Sequence, residues 1–162
     1  AVEAFRAALR RARRSGGGTV VLSEGMVITV ITGTRTVKDS PIDIFNQIHD
    51  AMIQVFHDFG IHGICKSGIS DLSLNGKKIL GSSLYMGTKP LRYYYQSSLM
   101  VSSDLQLINR YLKHPPREPD YRKGRSHDIF CTTLSNEGHC CTPQDICELF
   151  TRSLKSGIIV QL

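Results

Sequence analysis

The chain has 162 residues, a hydrophobic fraction of 41% and a formal charge of +6. That length suits one domain with one sizeable core, and the composition excludes disorder as the default reading. No apolar run nears the roughly 20 residues that a membrane helix needs, and no apolar region follows the basic N-terminus as in a secretory signal, so a cytoplasmic protein without a membrane partner is expected.

In chain order, Val2–Arg13 reads as a short basic helix with Val2, Phe5, Ala8 and Leu9 on one side. Ser15–Gly18 is a loop. Thr19–Leu22 and Met26–Thr32 are β-branched or apolar and read as strands, with Ser23–Gly25 turning between them. Pro41 opens the clearest helix: Phe45, Ile48, Met52, Phe56 and Phe59 recur at three- and four-residue steps, and Gly60 is a natural stop. Ile61–Cys65 reads as a short strand. Asp71–Leu74 and Lys77–Leu80 flank Asn75-Gly76, a dipeptide suited to the positive-φ positions of a type I′ hairpin turn. Leu91–Ser102 reads as extended, and Asp104–Leu112 as a helix capped by Ser103. His114–Arg125 is a proline- and charge-rich loop. Thr142-Pro143 starts a second strong helix, running to about Lys155 with Gly157 as its stop, and Ile158–Leu162 is a final strand. Frequent hairpins favour an α+β fold over a doubly wound parallel sheet: a mixed, largely antiparallel sheet covered by helices.

The basic charge concentrates in Arg6–Arg14 and Lys113–Arg125. An anionic nucleotide, an acidic protein or a merely solvated face would each account for it. Nucleic acid is not expected: Tyr93–Tyr95 on a strand cannot stack on one face. The five cysteines are irregularly spaced and read as free thiols. His139, Cys140, Cys141 and Cys147 cluster, but adjacent cysteines are a poor start for a tetrahedral centre, so no metal ligand is assigned.

Two segments can carry chemistry. In Arg13-Arg14-Ser15-Gly16-Gly17-Gly18-Thr19, successive exposed amides could cradle an anion, with arginines beside them. The segment lacks the GK[ST] ending of a P-loop and precedes a strand, and a plain flexible connection has the same pattern. In Lys77-Lys78 the side chains alternate, so one points to the sheet's covered side, where a lysine needs an anion. The alternative is that both curl to solvent at the hairpin end. Gly81-Ser82-Ser83 is small enough for a ligand to lie against the strand.

The ordered set Arg-x-Ser-Gly-Gly-Gly-Thr-Val, then Gly68-x-x-Asp71-Leu72, then Gly76-Lys77-Lys78-Ile79-x-Gly81-Ser82, resembles the lipoate–protein ligase family. Tyr95–Met100 with Asp104-Leu105 is similar to the strand and helix after that family's lysine. Pro119–His127, with Phe130 and Thr133-Leu134, resembles a loop of one branch. The likeness runs from Arg10 to Lys155.

The resemblance implies a fold like the catalytic domains of biotin/lipoate ligases and class II aminoacyl-tRNA synthetases. It implies that lipoate attacks the α-phosphate of ATP, with Mg²⁺ on the phosphates, and that a lysine of an acceptor domain then takes the lipoyl group from lipoyl-AMP. That acceptor would be the lipoyl domain of a 2-oxoacid dehydrogenase or a glycine cleavage protein. Arg13, Ser15, Gly16, Gly17 and Gly18, continuing to Thr19, would line the adenylate, Lys78 would contact acyl carbonyl and phosphate, and Asp71 would orient Lys78 or the metal. Gly81, Ser82 and Gln96 complete the expected lining.

The chain departs from the family in places. Leu22-Ser23-Glu24-Gly25-Met26 stands where the family often has His-Asp-x-Gly-Asn, Gln96 where many relatives have histidine, and Ser70 where the family has asparagine. Fewer residues precede the glycines than in related domains, and the accessory C-terminal domain of longer ligases is missing, so residues 1–162 read as one truncated or reduced catalytic-type domain that could need a separate accessory protein. Two other readings stay open: an octanoyl or lipoyl transferase of the same superfamily, using a cysteine such as Cys131 or Cys147, and a non-catalytic relative that binds a ligand or partner.

Overall fold

A computed structural model describes residues 19–154 and 157–161. The basic stretch at 2–13 and the glycine segment at 13–18 lie outside the described residues. The elements are β1 (Met26–Thr34), α1 (Pro41–Asp58), β2 (Ile64–Ser67), β3 (Asp71–Leu74), β4 (Lys77–Met86), β5 (Arg92–Met100), α2 (Gln106–Tyr111), a 3₁₀ turn at Asp120–Arg122, α3 (His127–Phe130), α4 (Pro143–Ser153) and β6 (Gly157–Gln161). The strands form one sheet in the order β2-β3-β4-β5-β1-β6. Every strand pair in it is antiparallel. The fold is therefore α+β as expected, with the strands among the described residues wholly rather than largely antiparallel.

α1 forms because its ends are fixed and its apolar side is continuous. Ser40 Oγ accepts from the Asp43 amide, and the Asp43 carboxylate accepts from the Ser40 amide, closing a capping box ahead of Pro41. Ile44, Phe45, Ile48, His49, Met52, Val55 and Phe56 are buried on one stripe. α4 begins with the same box at Thr142 and Asp145. Both helices cover one sheet face, where Val27, Ile31, Leu80, Tyr95 and Leu99 meet them, and the Phe56 and Phe150 rings pack edge to face with centroids 5.2 Å apart. A second, smaller core of Met26, Met100, Ile108, Phe130 and Cys131 closes one end of the opposite face.

Several expectations change. Thr19–Leu22 is not a strand: β5 and β6 already flank β1 on both sides, so no edge remains for a hairpin partner, and Val20 and Leu22 stay exposed. Ser103 does not cap a helix. It is buried against Gly25, where an added Cβ would stand 2.6 Å from the Ser103 amide, and the helix starts later, after Asp104 Oδ1 accepts from the Gln106 amide. The strand expected at Ile61–Cys65 is shifted to Ile64–Ser67, because Gly63 takes a φ of +82° just before it. Gly157 does not end a helix but opens β6.

Candidate active site

The site is built from the β3–β4 hairpin. Asn75 and Gly76 take φ values of 50° and 73°, as a type I′ turn requires, and this sets Leu74 opposite Lys77 and Ser73 opposite Lys78. The register then slips at Ile79, so Leu72 pairs with Leu80 and Asp71 with Gly81. The bulge lets consecutive Ile79 and Leu80 both enter the core, fully buried. It also leaves a glycine, not a leucine, opposite Asp71.

The lysine uses that gap. Lys78 Nζ lies 2.8 Å from Asp71 Oδ1, with Asp71 almost buried and Lys78 a quarter exposed. A Cβ at Gly81 would stand 2.8 Å from both Cε and Nζ of Lys78, so the side chain passes directly over the glycine. The backbone of Lys78 is fixed as well: its carbonyl accepts from the Thr132 amide at 2.9 Å, and it bridges to Cys131. Lys77 projects to the other side, half-exposed, and meets the nearly buried Glu137 at 3.6 Å. The lysines alternate as the strand period demands.

Asp71 has a second partner from a distant part of the chain. The Tyr121 hydroxyl donates to Asp71 Oδ2 at 2.8 Å. Burial, then the charge of Asp71, pushes the Tyr121 phenol well above its ordinary range, so it stays a donor. Its ring lies between Gly68 and Phe130. The segment carrying it is pinned by arginines: buried Arg122 lies 4.7 Å from the Phe130 ring centroid, while Arg125 donates to the Tyr121, Arg122 and Gly76 carbonyls.

Register places Asp71, Lys78, Gly81, Ser83, Gln96, Ser98, Ile28 and Val30 on one face, turned away from α1 and α4. Ser83, Gln96 and Ser98 are half-buried, a polar floor beside the ion pair, with half-buried Val30 next to it. Ser82 points the other way, into the helix-covered face. There its hydroxyl donates to the Ser70 carbonyl at 2.6 Å and lies 3.3 Å from His49 Nε2. His49 Nε2 also lies 3.1 Å from the Tyr95 hydroxyl, which donates to Met52 Sδ. Nε2 thus sits within hydrogen-bond reach of both hydroxyls, on an imidazole that is neutral near pH 7. Burial holds its pKa down at about 4. The network fixes Ser70, the residue before Asp71.

Of the expected lining, Asp71, Lys78, Gly81 and Gln96 share one face, Ser82 is on the other, Thr19 is exposed at the start of the described chain, and Arg13, Ser15, Gly16, Gly17 and Gly18 lie outside it. His49 and the Tyr121 contact were not legible as site features. The only signal for His49 is a histidine on an apolar helical stripe, between Phe45 and Met52. A shallow concavity of about 540 Å³ lies at the far end of the sheet, around Tyr85, Arg92 and Tyr94, away from the ion pair. Among the described residues no three His, Cys, Asp or Glu side chains converge as for a metal, and both oxygens of Asp71 are engaged. Mg²⁺ needs few protein ligands when phosphates supply the rest, so the described residues are compatible with such an ion. Burial pushes the Cys131 and Cys147 thiols up, away from the thiolate a nucleophile needs.

The family model of the lipoyl protein ligase A/B catalytic domain matches residues 8–155. Lipoate–protein ligase 2 of Staphylococcus aureus is 30% identical over 113 residues, covering 69% of this chain and 32% of that protein. The chain thus spans about a third of the length of that curated relative. Three solved structures share the fold at 16% identity, each over 87% of this chain: P. falciparum LipL1 in complex with lipoate (TM-score 0.66, 37% of that chain), a bi-partite lipoate protein ligase studied with its E2 lipoyl domain from Thermoplasma acidophilum (0.64, 56%), and lipoate-protein ligase A bound with ATP (0.65, 57%).

Proposed function

The chain belongs to the lipoyl protein ligase A/B catalytic domain family, and from that premise we propose that it activates lipoate with ATP to lipoyl-AMP and passes the lipoyl group to a lysine of an acceptor lipoyl domain. The observation that carries the reading is the Lys78–Asp71 pair on a half-open polar face. Lipoate carboxylate and ATP phosphate are both anionic and repel, and a fixed ammonium between them lowers that barrier. Asp71 holds the ammonium in place before substrate arrives, so little reorganisation is needed when charge develops on the phosphate. Gly81 and Gln96 form the adjoining floor, and the amides of Gly16–Gly18, with Arg13 and Ser15, would supply further anion contacts. Mg²⁺ would screen the phosphates when nucleotide is bound.

ATP, lipoate and an E2 lipoyl domain accompany the solved relatives by their own descriptions, and each is carried to this chain as part of the proposal. So is the reading of the chain as one catalytic-type domain. Burial raises the Cys131 thiol, and partial burial the Cys147 thiol, which supports this reading over a cysteine-dependent transferase.

The test is a paired comparison. Lys78→Ala should slow lipoate-dependent pyrophosphate release roughly 30- to 1000-fold, whereas Lys77→Ala should leave it within about twofold. Circular dichroism checks that both are folded, and mass spectrometry looks for bound lipoyl-AMP. Equal rates in the two variants would sink the assignment of the lysine.

A further inference from the structure

We propose that Tyr121 is a positioning residue for Lys78: by occupying one oxygen of Asp71, it confines the lysine ammonium to the other, above Gly81 and on the half-open face. The proposal deepens the ligase reading and rests on it for its kinetic consequence. Its physical basis is the geometry alone.

A carboxylate with two free oxygens gives an ammonium a broad, shallow basin, because the cation can slide between them or bridge both. Asp71 does not offer that choice. Oδ2 accepts from the Tyr121 hydroxyl and Oδ1 pairs with the Lys78 ammonium, each at 2.8 Å. Gly81 removes the side chain that would otherwise block the lysine's path over the strand. The ammonium is thus fixed from three directions: the bulge sets its backbone, the glycine its route and the tyrosine its end point.

The tyrosine is itself held. Arg125 binds the Tyr121 carbonyl at 2.7 Å and the Gly76 carbonyl at the hairpin tip at 3.1 Å, so one guanidinium ties the tyrosine's backbone to the turn that sets the lysine's register. Phe130 supports the Tyr121 ring with centroids 5.0 Å apart and underlies both arginines. The ion pair and its support therefore come from segments some 50 residues apart in sequence. A phenol this buried and this close to a carboxylate keeps its proton, which assigns Tyr121 to placing the lysine and not to transferring protons.

The test is Tyr121→Phe in the purified protein, with exposed Tyr111→Phe as the control. Two readouts are taken: the NMR order parameter of the Lys78 ammonium, and kcat against KM for lipoyl-AMP formation. Without the phenol the ammonium can slide between both Asp71 oxygens, so its order parameter should fall in Tyr121→Phe and stay put in Tyr111→Phe. In the kinetic arm kcat should fall about tenfold or more, with both KM values within about threefold. Incorporated 3-fluorotyrosine keeps the ring and strengthens the donor, so it should leave the ammonium at least as ordered as in the parent; a looser ammonium there overturns the proposal even where Tyr121→Phe unfolds. An unchanged order parameter in folded Tyr121→Phe overturns the proposal and reduces Tyr121 to packing. A lowered order parameter in a protein that makes no lipoyl-AMP upholds the positioning and overturns the ligase reading instead.

Discussion

Gly81 shows how one missing side chain sets the chemistry of another. Its role is space, since the Lys78 side chain occupies the volume a Cβ would take. The atoms in conflict are the far end of a flexible lysine, so Gly81→Ala should leave the fold intact, with a stability change below about 1 kcal/mol. The lysine must swing off Asp71 to make room. We expect lipoyl-AMP formation to fall about 10- to 100-fold while the thermal midpoint shifts by no more than about 4 °C. A fully active Gly81→Ala protein would show that the lysine's route over the strand does not matter.

The hairpin and α1 divide the work at the scale of elements. The hairpin sets register through Asn75 and Gly76 and then breaks it once, at Ile79, and that single slip brings Gly81 opposite Asp71. α1 supplies the buried stripe on which the sheet rests and carries His49 beneath the site. Its N-terminal box is a local device whose loss should not touch the chemistry. Ser40→Ala should cost about 1 kcal/mol, seen as a fall of roughly 2–4 °C in the thermal midpoint. Activity per folded molecule should be unchanged. A midpoint equal to the parent's would mean that the box is redundant with the packing of Phe45, Met52 and Phe56.

For the molecule as a whole, His49 links stability to pH. In the folded state its pKa is held down at about 4, from an ordinary 6.5. Above pH 6.5 the imidazole is neutral in both states and the full stability is present. Between 6.5 and 4 the unfolded chain binds a proton that the folded chain refuses, so stability falls as pH falls and levels off below 4. The loss should be of the order of 1–3 kcal/mol across that window, measured as urea midpoints at pH 7.5, 5.5 and 4.5. His49→Gln keeps a hydrogen-bonding group for Ser82 and Tyr95 but cannot titrate, so its profile should be flatter over the same range. An identical slope in the variant would assign the pH dependence to other groups.

The sequence alone was enough for what rests on local pattern. The apolar stripe of α1, the helix starts at Pro41 and Thr142-Pro143, and the turn at Asn75-Gly76 are read within a few residues, because each is a short-range conformational or periodicity rule. The alternation of Lys77 and Lys78, and their ordered likeness to the ligase motifs, pointed to the face that carries the Lys78–Asp71 pair for the same reason. What only tertiary structure decided involves partners far apart in the chain. The bulge at Ile79 answers to a core that must bury both Ile79 and Leu80. Thr19–Leu22 has strand composition but no free edge, since β5 and β6 take both sides of β1. Ser103 has capping chemistry but is buried beside Gly25, and Tyr121 meets Asp71 only because Arg122 and Arg125 fold their loop over Phe130. Pairing, burial and long-range hydrogen bonds are properties of the whole assembly, and no local propensity encodes them.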